Sequence, residues 1–422
     1  MILSESVAPP TQILDAETVR QTLALGLAGR HRGEKVLVLI PDHTRTTPLP
    51  QLFRFLVETL HDVRRLDFMV ALGTHPSLSD DQLCQLVGIS TQERQSTYRH
   101  VGLLNHAWDR PDSLVRIGVL TQAEMQALAG DAWHPSLGGD VPVNVNRETL
   151  GYDHIIILGP TLPHEVAGFS GGAKYLFPGV SGPEMINTMH WLGALVGVIA
   201  TAGVRQTAVR AMVHAAVRHF PVPITLVSLV VVGEGLAGMF VGDHTAAWEA
   251  AADLSAERHI LWHDRPFRRV LSWAPPMYDE LWTAAKAMYK LDPVVADGGE
   301  IIIYAPHLQQ VSRAHGKYIY EVGYHVLDYF LQQWSRFSHV PLGVLAHSTH
   351  VRGAGRYANG VEAPRIAVTL SSRIPAEDCA RLNLGYHDPE KIDPAEWQGQ
   401  EADGILFVPK AGEMLYRVRG AA

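Results

Sequence analysis

Lys35-Val-Leu-Val-Leu-Ile40 is an unbroken apolar run stopped by Pro41-Asp42, and a run of that kind reads as a strand buried on both faces of a parallel sheet. The pattern recurs. Asp67-Phe-Met-Val-Ala-Leu72 leads into Gly73-Thr74-His75, and Ile155-Ile-Ile-Leu158 leads into Gly159-Pro160 shortly before His164. Helical spacing marks 50–63 and 79–87, and later 202–219 and 245–258. Strands alternating with helices predict an α/β fold with mostly parallel sheets. Because ligands of open α/β sheets bind outside the carboxyl ends of the strands, Asp42, Arg45, His75 and His164 are expected around one crevice.

After a linker at Pro266-Phe-Arg-Arg269, a second series of strands is expected at Val270–Trp273, Ile301–Tyr304, Gly343–Ala346 and Ile366–Leu370. This sets a domain boundary near residue 266 and predicts two α/β domains with an active-site cleft between them. Gly233-Glu-Gly-Leu-Ala-Gly238 has the spacing of a dinucleotide fingerprint, but Met239-Phe-Val241 continues as strand where a helix should open. A hairpin turn is the better account.

Composition narrows the function classes. A net charge of −8 over 422 residues lacks the basic footprint of a nucleic-acid binder. The longest helix-like apolar run, Trp191 to Val204, is 14 residues, short of the roughly 18–20 that a bilayer span needs, and it reads as a buried helix. Cys84 and Cys379 have no metal-site spacing, and no secretory leader is expected in Met1 to Gln12, so a cytoplasmic protein is anticipated.

Gly168-Phe-Ser-Gly-Gly-Ala-Lys174 offers flexible backbone N–H groups and a cation to an anionic group, with Ser170, Gly171, Gly172 and Lys174 as the contacting residues. It is not a Walker A loop, since Ala173 precedes the lysine and Tyr175 follows it. Arg45 suits a carboxylate through two parallel hydrogen bonds, and Asp42 suits the orienting of a neighbouring imidazole or arginine. A helix-start cap with a surface arginine is the alternative. His75 and His164 have the intrinsic pKa for proton transfer near neutrality. His307, Arg313, His315, Lys317 and Tyr318 follow one strand of the second series, and His347, His350 and Arg352 another. They form a candidate polar wall for a substrate with several hydroxyls or a second carboxylate.

In order and spacing, Pro41-Asp-His-Thr-Arg45, Gly73-Thr-His-Pro76, His164-Glu-Val-Ala-Gly-Phe-Ser-Gly-Gly-Ala-Lys174 and Asn187-Thr-Met-His190 resemble the lactate racemase family, whose members carry a nickel-pincer nucleotide. The resemblance covers most of the first domain and thins after about residue 290. It implies that Lys174 tethers the cofactor as a thioamide, that His190 ligates nickel, and that His75 and His164 are the acid/base pair. Arg45 would contact the substrate, and Lys286, on a helix expected over 277–289, would approach it. The implied reaction inverts C2 of a 2-hydroxy acid by proton-coupled hydride transfer. Thr283 stands where the family pattern has a glutamine, and its shorter reach speaks against lactate as the substrate; the polar wall at 307–318 and 347–352 suits a larger one, a sugar acid or dicarboxylate. The resemblance also implies that Gly404–Val408 and its tail return to the first domain, giving a cofactor-binding catalytic domain of 1–265 plus 404–422 and a substrate-closing domain of 266–403. Expected partners are the small 2-hydroxy acid and the proteins that build and install the cofactor, with a homo-oligomer among the expected states. Two other classes stand beside this reading: a zinc hydrolase using His75, His164 and His190 as metal ligands, and a small-molecule binding homologue without turnover.

Overall fold

The computed structural model describes residues 1–420 except Thr74; that residue of the Gly-Thr-His-Pro motif, Ala421 and Ala422 lie outside the described residues. Seven strands form the first sheet, in the spatial order Ile2–Val7, Gly235–Gly242, Ile224–Val232, His154–Pro160, Lys35–Ile40, Arg65–Val70 and Val101–Asn105. From Ile224–Val232 onward every neighbouring pair is parallel. Only the edge formed by Ile2–Val7 and Gly235–Gly242 is antiparallel. Gly233, at φ 60°, turns the chain between Ile224–Val232 and Gly235–Gly242, so the glycine-rich hexapeptide is a hairpin.

The apolar run at 35–40 explains why this sheet is covered twice. Leu37 and Leu39 pack into one core with Ile155 and Ile157, while Val36, Val38 and Ile40 pack into another with Ile156 and Leu158. Each of the five side chains at 36–40 is at most 1% exposed, and burial of this kind contributes about 1.5–3 kcal/mol apiece. The helix Asp80–Val87 starts at Ser79, whose hydroxyl accepts from Gln82 N–H while the Gln82 side chain accepts from Ser79 N–H.

The second sheet is wholly parallel, in the order Gly385–Tyr386, Ala367–Ser372, Val295–Ala305, Phe267–Trp273 and Ile405–Val408. Three expectations change here. Gly343–Ala346 lies within the helix Leu342–Arg352, because a short apolar run bounded by Pro341 does not distinguish a strand from a helix buried on all sides. Ile405–Val408 does not return to the first sheet: it pairs with Phe267–Trp273, and only the tail strand Leu415–Val418 lies elsewhere, beside Ile260–His263. The helix expected over 277–289 is two single turns, Leu281–Ala284 and Lys286–Tyr289. Its start is delayed because Leu281 N–H and Trp282 N–H donate to the carbonyls of Gln310 and Val311. No helix among the described residues is long and apolar enough to cross a membrane.

Candidate active site

A cavity of about 450 Å³ opens at the carboxyl ends of the first sheet's parallel strands. The loop after Lys35–Ile40 lines it with Asp42 and Arg45, the loop after Arg65–Val70 with His75, and the segment after His154–Pro160 with His164, Ser170, Gly171 and Lys174. Adjacent parallel strands release their loops on one edge, so residues far apart in the chain meet here.

Asp42 is 6% exposed, and its Oδ2 is hydrogen-bonded to His75 Nδ1. Oδ1 accepts from Thr44 Oγ1 at 2.7 Å and from Thr44 N–H at 3.1 Å. Burial opposes its charge, but the His75 imidazole, the Thr44 hydroxyl and Arg45 outweigh that and hold the carboxyl well below the usual carboxylate range. An ionised carboxylate on Nδ1 keeps the ring proton there and leaves the Nε2 lone pair available. Trp108, which also lines the cavity, fixes the His75 backbone by donating to its carbonyl at 2.9 Å. Among the described residues the Arg45 guanidinium has no hydrogen-bond or ion-pair partner, so a positive charge faces the cavity unpaired.

His164 has the opposite hydrogen-bonding character. The N–H groups of Val166 and Ala167 point at its Nδ1, at 3.0 and 3.4 Å, so Nδ1 carries the lone pair and Nε2 the proton. Nε2 lies 2.9 Å from Lys174 Nζ. With the proton already on Nε2, Nζ must supply a lone pair, which means that Lys174 is a neutral amine. The electrostatics agree: burial, then the cations Arg45 and Arg210, push the Lys174 pKa well below its ordinary value. Burial also holds His164 well below the usual imidazole range, with the Glu165 carboxylate only partly opposing it.

The glycine-rich turn positions this pair by close packing. Arg210 donates to the carbonyls of Phe169 and Gly171 and lies 4.0 Å over the Trp248 ring, while Trp248 Nε1 donates to the Ser170 carbonyl at 2.9 Å. The Ser170 hydroxyl is engaged with backbone, accepting from Leu162 N–H at 2.9 Å and donating to the Pro160 carbonyl at 3.1 Å. At Gly168 φ is +77°, and an added Cβ would sit 1.8 Å from the Val204 carbonyl. Gly168→Ala is therefore expected to destabilise the protein by roughly 2–4 kcal/mol, from left-handed strain and overpacking together, measured by urea unfolding.

The helix Pro183–Val196 turns one face to the cavity, with Pro183, Ile186, Asn187 and His190 at helical spacing. His190 Nδ1 donates to the Ile186 carbonyl at 2.6 Å, which leaves Nε2 as a lone-pair donor, and burial holds its pKa down. The donor set fits a nickel-pincer nucleotide: an imidazole nitrogen open to a borderline metal, a neutral amine able to form a covalent bond, and an unpaired arginine in one cavity.

Opposite stand Trp282, His315, Tyr318 and Val344. The Trp282 ring lies between His315 and His347, with centroids 4.4 and 4.1 Å away. Burial, then His190 and His75, hold His315 down to about 4.

Of the predicted site residues, Asp42, Arg45, His75, His164, Ser170, Gly171, Lys174, His190 and His315 line the cavity, and five do not. Gly172 packs on Trp248 instead. Thr283 is buried, its hydroxyl donating to the Glu280 carbonyl at 3.0 Å. His307 Nε2 is bound to the Tyr278 carbonyl at 2.9 Å, and Lys317 is exposed. Lys286 lines a smaller recess with Glu165, Tyr278 and Lys290, where burial and Arg45 lower its pKa to about 7. Nor do His75, His164 and His190 form a zinc triad: among the described residues the group whose ligand atoms all lie within 4.8 Å of one another is His31, Glu34 and His154. Trp108, Asn187 and Trp282 were missed from sequence. Trp108 follows the strand exit at Asn105, a signal available in principle, whereas the backbone N–H of Trp282 is held by the Val311 carbonyl, a contact that no local pattern announces.

Residues 19–129 and 136–203 match the lactate racemase N-terminal domain. A lactate racemase of Lactiplantibacillus plantarum is 26% identical over 318 residues, spanning 72% of this chain and 69% of that protein. A crystal structure of a protein from Thermotoga maritima, 30% identical, covers 98% of this chain and 100% of its own with a TM-score of 0.87. The lactate racemase apoprotein of Thermoanaerobacterium thermosaccharolyticum shares the fold at 16% identity, with a TM-score of 0.70 over 96% of this chain and 93% of the other.

Proposed function

The chain belongs to the lactate racemase family, and from that premise we propose that it is a racemase or epimerase inverting the hydroxyl-bearing C2 of a 2-hydroxy acid. One observation carries the reading: two imidazoles of opposite hydrogen-bonding character face one cavity beside an unpaired arginine. Arg45 binds the substrate carboxylate. His75 takes the hydroxyl proton at Nε2, and the ionised Asp42 at Nδ1 stabilises the imidazolium that results. Once the planar keto acid has turned its other face, the His75 imidazolium returns the proton to that oxygen as the hydride comes back, while neutral His164 holds the oxygen by a hydrogen bond from Nε2–H. When bound, a nickel-pincer nucleotide would supply reversible acceptance of the C2 hydride, and Lys174 and His190 are the residues that would hold it.

Trp282, His315 and Tyr318 offer stacking and hydrogen-bonding surface that a methyl group does not use, which supports a sugar acid or dicarboxylate as substrate over lactate. The segment from residue 266 is assigned the part of a closing unit, which would carry Lys286 from its recess toward the substrate. Two buried free cysteines fit a reducing compartment, and the protein is assigned to the cytoplasm.

The test uses the chain matured with cofactor-building proteins and a panel of single-enantiomer lactate, malate and aldonates. At least one is expected to lose optical purity, and intact mass should reveal an adduct that Lys174→Ala lacks. An adduct with every substrate left optically pure would favour the binding homologue. The neutral amine is tested separately in the cofactor-free chain: at pH 7 a small acylating reagent should label Lys174 ahead of the exposed lysines. Labelling of Lys317 or Lys391 first would count against it.

A further inference from the structure

At the amino ends of the same parallel strands, the edge opposite the cavity, a second group of ligating side chains comes together. The chain turns just before the strand Lys35–Ile40, where Glu34 N–H donates to the His31 carbonyl at 3.0 Å and closes a three-residue step. That turn sets His31 Nδ1 2.9 Å from Glu34 Oε2. His154 begins the neighbouring strand and is in register with Val36, two residues beyond Glu34. Its ring centroid lies 4.1 Å from that of His31. One ligand atom from each of His31, Glu34 and His154 falls within 4.8 Å of the others.

Two further observations point to a bound ion. His31 is 6% exposed, yet its Nε2 is buried with no hydrogen-bond partner, a cost of about 1–3 kcal/mol for a polar atom removed from water. His154 Nε2 lies 2.9 Å from Thr225 Oγ1 on the adjacent strand, the kind of outer hydrogen bond that orients a metal-ligating imidazole and leaves its other nitrogen to the metal. We propose that His31, Glu34 and His154 form a site for a divalent transition ion of the zinc class, clipping the 28–34 turn to the centre of the first sheet. Two imidazoles and one carboxylate are a zinc-type donor set, with water as the remaining ligand on the half-exposed side of the group. The site lies a strand length, about 20 Å, from the cavity, so its role is structural and independent of the racemase reading.

Zinc titration of the full-length, chelator-treated chain, followed by metal analysis after gel filtration, tests this. The wild type and His190→Ala should each retain a tightly held equivalent of Zn²⁺ that His154→Ala lacks. Glu34→Gln, a half-exposed and nearly isosteric change that leaves the fold intact by circular dichroism, should weaken binding at least tenfold. A hundredfold excess over Kd should raise Tm by about 3 °C in the wild type and not in His154→Ala. No retained zinc in the wild type, or retention unaltered in folded Glu34→Gln and His154→Ala, would overturn the proposal.

Discussion

His75→Ala is expected to lower the proposed racemisation by the matured chain about 10²- to 10⁴-fold, the range that a positioned acid/base group contributes. Asp42→Asn is expected to come close to the same loss by a different route. The amide has no charge to stabilise an imidazolium, and its NH₂ can donate to Nδ1, which drives the ring proton to Nε2 and removes the lone pair facing the cavity. Because the two residues act as one unit, the double variant should be scarcely slower than the worse single one. Chiral chromatography of the product reads the rate, and intact mass checks that the adduct persists, which separates a proton-transfer defect from lost cofactor. Full activity in His75→Ala with the adduct present would remove His75 from the mechanism.

Acidification from pH 6.5 toward 4 should unfold the metal-free protein. His106, His154, His214, His315 and His350 are each held down to about 4, in every case chiefly by burial. In the unfolded chain these rings titrate near 6.5. Within that window the unfolded state binds protons that the folded state refuses, so stability rises with pH and is lost as pH falls. Each such ring contributes a slope of up to about 1.4 kcal/mol per pH unit, or about 3 kcal/mol by pH 4, so the five together would match or exceed a typical stability of about 5–15 kcal/mol. Urea midpoints at pH 7, 6 and 5 measure this directly. The midpoint should fall at each step, and a flat profile down to pH 4.5 would show that these rings are not buried in neutral form.

Much of the site was readable because local pattern and chain topology agree there. Runs such as Val36–Ile40 and Ile155–Leu158, rich in β-branched residues and ended by glycine or proline turns, favour doubly buried strands, and parallel strands put the loops bearing Asp42, His75 and His164 on one edge. Lys174 and His190 follow within the same segment, so motif spacing located them too. Beyond residue 266 the reading weakened. The buried helix Leu342–Arg352 has no polar face to reveal its period, and Gly343 N–H is instead held by the Asn187 side chain at 2.9 Å. The delayed start at Leu281 depends on carbonyls of Gln310 and Val311, some thirty residues onward.

From sequence alone came the α/β class, the strand exits and the chemistry-bearing side chains at them, because burial pattern and loop position are local properties of the chain. Tertiary structure alone decided that the Asp42 carboxylate is hydrogen-bonded to His75, that burial pushes the Lys174 pKa well down, and that Ile405–Val408 joins the second sheet. It also decided that His31, Glu34 and His154 meet at all. Those outcomes depend on desolvation and on hydrogen bonds between residues distant in the chain, and no local pattern encodes either.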